Sequence, residues 1–316
     1  MLKPLPPATI ESVFPPNKNF VYYENRLAHP FQHEATTFQM VNAWWLAEAA
    51  LLAYADVGFA TEAFKRAGLR LEASQPFAGR STQCYVAHND HFVIVSFRGT
   101  QVLKPGVEIP LAEAIRGVIS DICADAKFKL VDSELGGRVH RGFKMALEEV
   151  WETQVRPHLD SLRKSNPNRK IWFTGHSLGA ALATLAAKSY GKAQGLYTFG
   201  SPMVGDEKFA ESFHVKNTYR FVNNNDVVAR VAPLGPCDPV GLASYKHVGQ
   251  LKYIDSSGRK IVDSLGFMDR LEDRLLGDFK AIVDQFSGSG WLKKLSIDHL
   301  NDHAPLRYAI HTWNNL

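Results

Sequence analysis

The stretch "KIWFTGHSLGAALATLAAKSY", residues 170 to 190, constrains this chain more than any other. A short apolar run ends on Gly175-His176-Ser177-Leu178-Gly179 and passes directly into an alanine-rich segment, so strand gives way to helix on a serine. The pattern fits a nucleophile elbow, a tight turn that lifts a serine hydroxyl clear of a sheet while glycines relieve the crowding of nearby backbone. Five residues of this kind also arise by chance, so the surroundings must supply the scaffold.

Strand 170–174, helix 178–190, strand 195–199 ("GLYTF"), a helical "GDEKFAESF" and strand 218–222 ("TYRFV") follow one another. Strands alternating with helices predict an α/β fold with a mostly parallel central sheet and right-handed crossovers. Gly179, Ala183, Ala186 and Ala187 recur at helical spacing, which lets the helix after Ser177 lie close against that sheet. Upstream, "STQCYVAHNDHFVIVSFRGT" reads as a hairpin joined at His88-Asn89-Asp90, its second strand apolar on both faces and therefore central.

Residues 41–55 predict a mostly buried helix interrupted by Glu48, and "TEAFKRAG" a short one with Thr61 as N-cap and Gly68 at its end. A long helix starts near Gly142, and Pro157 bends or divides it. "YKHVGQLKYIDSSGRKI" predicts a hairpin turning at Ser256-Ser257-Gly258, and 264–286 an amphipathic helix. The proline-rich residues 1–39 read as an extended arm laid over the surface. With no repeat and no low-complexity linker, one domain over 1–316 is the simpler expectation.

Composition mainly excludes. The 36 basic and 32 acidic side chains give a net charge of +4 without a basic run, so nothing points to nucleic acid. Cys84, Cys123 and Cys237 are too few and too scattered for a disulfide framework or a zinc site, and read as small buried thiols of a reducing compartment. Residues 1 to 20 lack the apolar core of a secretory signal, and the most apolar window, 41–55, is too short to cross a bilayer. These features together lead to an expected cytoplasmic location or a leaderless export route.

A serine hydroxyl is a poor nucleophile at neutral pH, so it needs a histidine to take its proton and a carboxylate to hold that histidine's tautomer. On this kind of sheet the chain order is serine, acid, histidine. Asp226 in "RFVNNNDVVARV" lies in a polar loop just past a strand and is favoured as the acid. Its competitors are Asp206, better read as an N-cap, and Asp255, at a hairpin tip. Among "SIDHLNDHAPLRYAIHTW", His299 and His303 are both candidates for the base, with His311 inside the final helix. His303 is favoured because Pro305 opens a helix and leaves it in a loop. His176, whose side chain should point away from the hydroxyl, and His140 and His247 are read as structural. Two oxyanion donors are expected: the backbone N–H of Leu178 at the helix N-terminus, and Thr100 in "FRGT", after the hairpin's second strand. This chemistry calls for no cofactor and no metal.

The blocks "VSFRGT", "VHRGF", "FTGHSLGAALATLAA", "YTFGSPMVGD", "YRFVNNNDVVARV" and "NDHAPLRYA", in that order over about residues 40–313, resemble the class 3 lipase family. The resemblance implies an α/β-hydrolase fold, with Ser177 as nucleophile, Asp226 as acid, His303 as base, and Thr100 and Leu178 at the oxyanion positions. It further implies a helical lid over residues 101–120, ahead of Asp121, that makes transient contact with a lipid surface. Leu111, Ile115, Val118 and Ile119 share one face there, a spacing that an ordinary core helix would share. The expected activity is hydrolysis of acylglycerols through an acyl-enzyme. Phospholipase A1, a soluble carboxylesterase, and a non-catalytic binding protein on the same fold are the alternatives.

Overall fold

A computed structural model describes residues 2–7, 9, 12, 15–71, 76–99, 130–226, 228–230, 245–262 and 301–316. The expected lid 101–120, Thr100, Asp121, the helix at 264–286, His299, Cys123 and Cys237 lie outside the described residues.

In chain order the elements begin with helices α1 (Met40–Leu52) and α2 (Val57–Arg66) and strands β1 (Arg70–Leu71), β2 (Phe77–Ala78), β3 (Gln83–His88) and β4 (Phe92–Phe97). Then come β5 (Leu130–Asp132), β6 (Arg138–His140), α3 (Arg141–Glu148), a π-turn at Trp151–Val155, α4 (Arg156–Ser165), β7 (Lys170–His176) and α5 (Leu178–Tyr190). The remainder is β8 (Gly195–Phe199), β9 (Gly205–Asp206), α6 (Glu207–Glu211), β10 (Thr218–Asn223), β11 (Tyr245–Lys246), β12 (Gln250–Ile254), β13 (Ile261–Val262) and α7 (Pro305–Asn314).

Among the described residues, nine strands form one sheet with β4, β7, β8, β10 and β12 parallel at its centre and antiparallel pairs at both edges. With its flanking helices this is the α/β-hydrolase fold. Side chains alternate between two cores, as a strand covered on both faces requires. On β4, Phe92 and Ile94 face the layer of α1, α2 and α7, whereas Val93, Val95 and Phe97 face α3, α4 and α5. Trp172 of β7 belongs to the first core and Ile171 and Phe173 to the second, each buried to 1% exposure or less. Burying a side chain of that size is worth about 1.5–3 kcal/mol.

Two local details differ from the expectations, and one agrees with them. α2 is capped by Asp56, whose carboxylate accepts the Phe59 N–H at 2.9 Å, not by Thr61, which lies inside the helix and donates to the Val57 carbonyl. The long helix is divided as expected: Pro157 sits in the first turn of α4, and the chain ahead of it widens into the π-turn. A proline ring clashes with the carbonyl four residues back and offers no N–H, so a regular α-helix cannot run through it. Finally, Tyr245–Lys246 does not extend the hairpin of β12 and β13 but joins a separate four-stranded sheet ordered β11-β9-β6-β5.

The arm does more than cover surface. Tyr22, Tyr23 and Phe31 are buried in the first core, and the His29 and His33 carbonyls accept the indole N–H groups of Trp45 and Trp172. Glu48, fully buried in the middle of α1, accepts from the Tyr23 backbone N–H and from the Trp44 indole. The acidic residue that interrupts the apolar run is therefore the clamp between arm and helix. Burial raises its pKa to about 7, although those hydrogen bonds oppose the rise.

Candidate active site

The sheet register brings distant segments to one edge. His176 at the end of β7 pairs with Phe199 at the end of β8, and Phe199 pairs with Phe221 near the end of β10. The residues just beyond these strand ends, Ser177, Gly200 and the Asn224–Asp226 loop, consequently emerge side by side. Ser177 N–H donates to the Phe199 carbonyl at 3.0 Å, and Gly200 N–H to the Phe221 carbonyl at 3.0 Å.

Ser177 has φ 57° and ψ −129°, a backbone region that residues other than glycine seldom occupy. The elbow glycines are needed for contact: a methyl on Gly175 would overlap the Gly179 backbone, and one on Gly179 would overlap the Phe97 carbonyl. These close approaches hold the strained turn between β4 and α5. Leu178 is the first residue of α5, so its N–H lies at a helix N-terminus, where the macrodipole favours negative charge.

Asp226 is fully buried and saturated with donors. His303 Nδ1 lies 3.0 and 2.9 Å from its two carboxylate oxygens, the Tyr308 hydroxyl donates to Oδ2 at 2.5 Å, and the Val228 N–H donates to Oδ1 at 2.9 Å. Burial alone would raise the carboxyl's pKa, but His303 and the bonds from His303 and Tyr308 hold it below the ordinary value. The carboxylate thus fixes the proton of His303 on Nδ1, leaving Nε2 as the acceptor nitrogen.

Ser177 Oγ and His303 Nε2 are both buried and, among the described residues, neither has a hydrogen-bond partner. Buried polar atoms are nearly always paired, and unpaired ones concentrate where chemistry is done. The His303 ring lies 4.4 Å from that of His176, the residue before Ser177, and a methyl on Gly200 would come within 2.7 Å of Asp226 Oδ2 and 2.9 Å of the His303 ring.

The loops carrying acid and histidine are stitched together. Asn223 Nδ2 donates to the Asp302 carbonyl at 2.9 Å, while Asn224 Nδ2 and the Asn225 N–H donate to the Asp302 carboxylate at 3.0 and 3.2 Å. The remaining candidates fall elsewhere. Asp206 caps α6 through the Phe209 N–H, Asp255 accepts from Ser257 at the hairpin tip, and His140 caps α3 through the Phe143 N–H. His247 borders a small cavity with Arg220, and His311 lies within α7.

The sequence alone did not single out Gly200 as a residue of the site. The only signal for Gly200 is a glycine directly after a strand, which a simple turn would equally require. For Tyr308 the signal was its position in the last motif block.

Residues 94–235 match the family model described as lipase (class 3). A secreted mono- and diacylglycerol lipase 1 of Fusarium solani is 36% identical over 134 residues, 40% of this chain and 37% of that protein. A secreted mono- and diacylglycerol lipase A of Penicillium cyclopium is 30% identical over 193 residues, 58% of this chain and 55% of that one. The chain therefore spans between about a third and about half the length of these curated relatives. Among solved structures, a mono- and diacylglycerol lipase from Aspergillus oryzae aligns with a TM-score of 0.53 and 25% identity, covering 70% of this chain and 81% of the other.

Both curated relatives are named as secreted proteins, which corrects the expectation of a cytoplasmic location or leaderless export. Nor does Cys84 by itself indicate a reducing compartment. Cys84 is fully buried, and burial drives its pKa upward, so it is shielded from oxidant in any compartment. Among the described residues no helix is long and apolar enough to cross a membrane.

Proposed function

We propose that this chain, a member of the class 3 lipase family of the α/β-hydrolase superfamily, is a serine carboxylic ester hydrolase acting on acylglycerols. The observation that carries the reading is the buried Asp226–His303 pair beside a strained serine whose hydroxyl is unpartnered among the described residues.

In this reading Ser177 Oγ attacks the ester carbonyl carbon as His303 Nε2 takes the hydroxyl proton, and Asp226 stabilises the imidazolium that forms. The negative charge that develops on the carbonyl oxygen is met by the Leu178 N–H, with Thr100 as the second donor. Collapse of the tetrahedral intermediate breaks the bond to the glycerol oxygen, which leaves with the proton held by His303. Water then attacks the acyl-enzyme, giving its proton to His303 and returning Ser177 with release of the fatty acid. The names of the secreted relatives support action on mono- and diacylglycerols outside the cell.

The test is hydrolysis of a panel of short- and long-chain acylglycerols, phospholipids and soluble esters, above and below the solubility limit. Acylglycerols are expected to be turned over fastest, with Ser177→Ala losing at least ~10³-fold in kcat while keeping its fold. Preference for phospholipid or for dissolved ester would reassign the substrate. Full activity in Ser177→Ala would reject the mechanism.

A further inference from the structure

His176 occupies the variable position before the nucleophile, yet it is 3% exposed and bonded through both ring nitrogens. Its Nε2 lies 2.6 Å from the backbone carbonyl of His303, and its Nδ1 lies 2.9 Å from the hydroxyl of Tyr54. A carbonyl only accepts, so Nε2 must carry the proton. Nδ1 is then the acceptor, and the phenol donates to it. Tyr54 is itself buried just past the end of α1, and a methyl on Gly99 would overlap its hydroxyl and come within 2.7 Å of the His176 carbonyl. The phenol thus stands between the end of the strand leading to the "RGT" block and the end of the strand leading to Ser177.

We infer that Tyr54 and His176 are positioning residues that register the loop of the general base against the nucleophile elbow. This rests on the catalytic reading of Ser177 and His303 given above. The Asp226 contact fixes the His303 ring at Nδ1, but a ring held at one end can still swing with its backbone. The bond from His176 fixes that backbone at the carbonyl, and the two imidazoles lie 4.4 Å apart with an interplanar angle of 38°. Tyr54 enforces the tautomer that makes the bond possible, because the alternative tautomer would set two donors against each other and a lone pair against the carbonyl. Burial also disfavours a charged His176, so no second cation opposes His303 as it accepts the serine proton. Displacing a reacting group by about 1 Å costs on the order of 100-fold in rate without loss of binding.

The experiment measures kcat and KM of the full chain on a soluble short-chain ester, per active site titrated with a fluorophosphonate, for Tyr54→Phe, His176→Leu and His176→Gln. Tyr54→Phe keeps the ring and removes only the hydroxyl. It is expected to lower kcat about tenfold with KM within about twofold. His176→Leu should lose about 100-fold in kcat, and His176→Gln, whose amide can still donate to the His303 carbonyl, should recover part of that. Wild-type kcat in Tyr54→Phe, or equal losses in the Leu and Gln variants, overturns the inference. If His176→Leu does not fold, the Tyr54→Phe result decides alone. Ser177→Ala separates the two levels: an inactive Ser177→Ala beside a fully active Tyr54→Phe rejects only the positioning role, whereas an active Ser177→Ala rejects the reading beneath it.

Discussion

The Tyr308 hydroxyl donates to Asp226 Oδ2 at 2.5 Å from 82 residues further along the chain, and the Tyr308 hydroxyl oxygen itself accepts the Asn223 N–H at 3.0 Å. One phenol thus ties the final helix to the strand that carries the acid. Tyr308→Phe leaves a buried carboxylate short of a donor and a buried N–H without its acceptor. Hydrogen bonds to charged groups are worth about 1.5–3 kcal/mol, so the unfolding free energy in urea should fall by at least that much. Because His303 keeps its own bond to Asp226, kcat should drop only about tenfold.

Gly200 has φ +58° and faces Asp226 and His303 with nothing but hydrogen. Gly200→Ala imposes both a strained backbone and a methyl where Asp226 and His303 lie. We expect about 1–3 kcal/mol lower stability from the backbone alone and a loss of kcat of about 100-fold or more. Thermal unfolding with steady-state kinetics on the same preparation separates the two effects, and an Ala variant with wild-type kcat would show that the pair is not packed against this glycine.

Glu48 gives the fold a pH dependence of unusual sign for a carboxylate. Its pKa of about 7 in the folded state exceeds the ordinary 4.5, so between those values the folded chain holds a proton that the unfolded chain has lost. Stability from this group is complete below about pH 4.5 and is lost as pH rises through about 7, on the order of 3 kcal/mol in total. Glu48→Gln should flatten that part of the stability profile measured by urea titration at stepped pH. An unchanged slope would mean that another group carries it.

How far the sequence reveals this arrangement depends on whether a feature is local or spatial. The elbow is local: its glycines, its apolar strand and its small-residue helix lie within β7 and α5, and both elements fall where the sequence puts them. Asp226 and His303 are legible by their position after a strand and before a proline-started helix, and they meet through Nδ1. The second sheet is not legible, because β6 and β9 are too short to show a period and are held by partners far along the chain. The Thr61 assignment failed because Asp56, five residues earlier, offers an equally good cap in an extended backbone. The bonds of His176 escape for a further reason: they depend on a tyrosine 122 residues away and on the carbonyl, not the side chain, of His303.

The proposed mechanism requires that folding make the Ser177 hydroxyl reactive through His303 and Asp226. Covalent labelling by a fluorophosphonate, with the modified residue located by peptide mass spectrometry, tests it most directly. Rapid single-site modification at Ser177, abolished in Ser177→Ala and slowed at least ~10³-fold in both His303→Ala and Asp226→Asn, is the predicted result. Labelling at another residue, or labelling of Ser177 at an undiminished rate without His303, would contradict it.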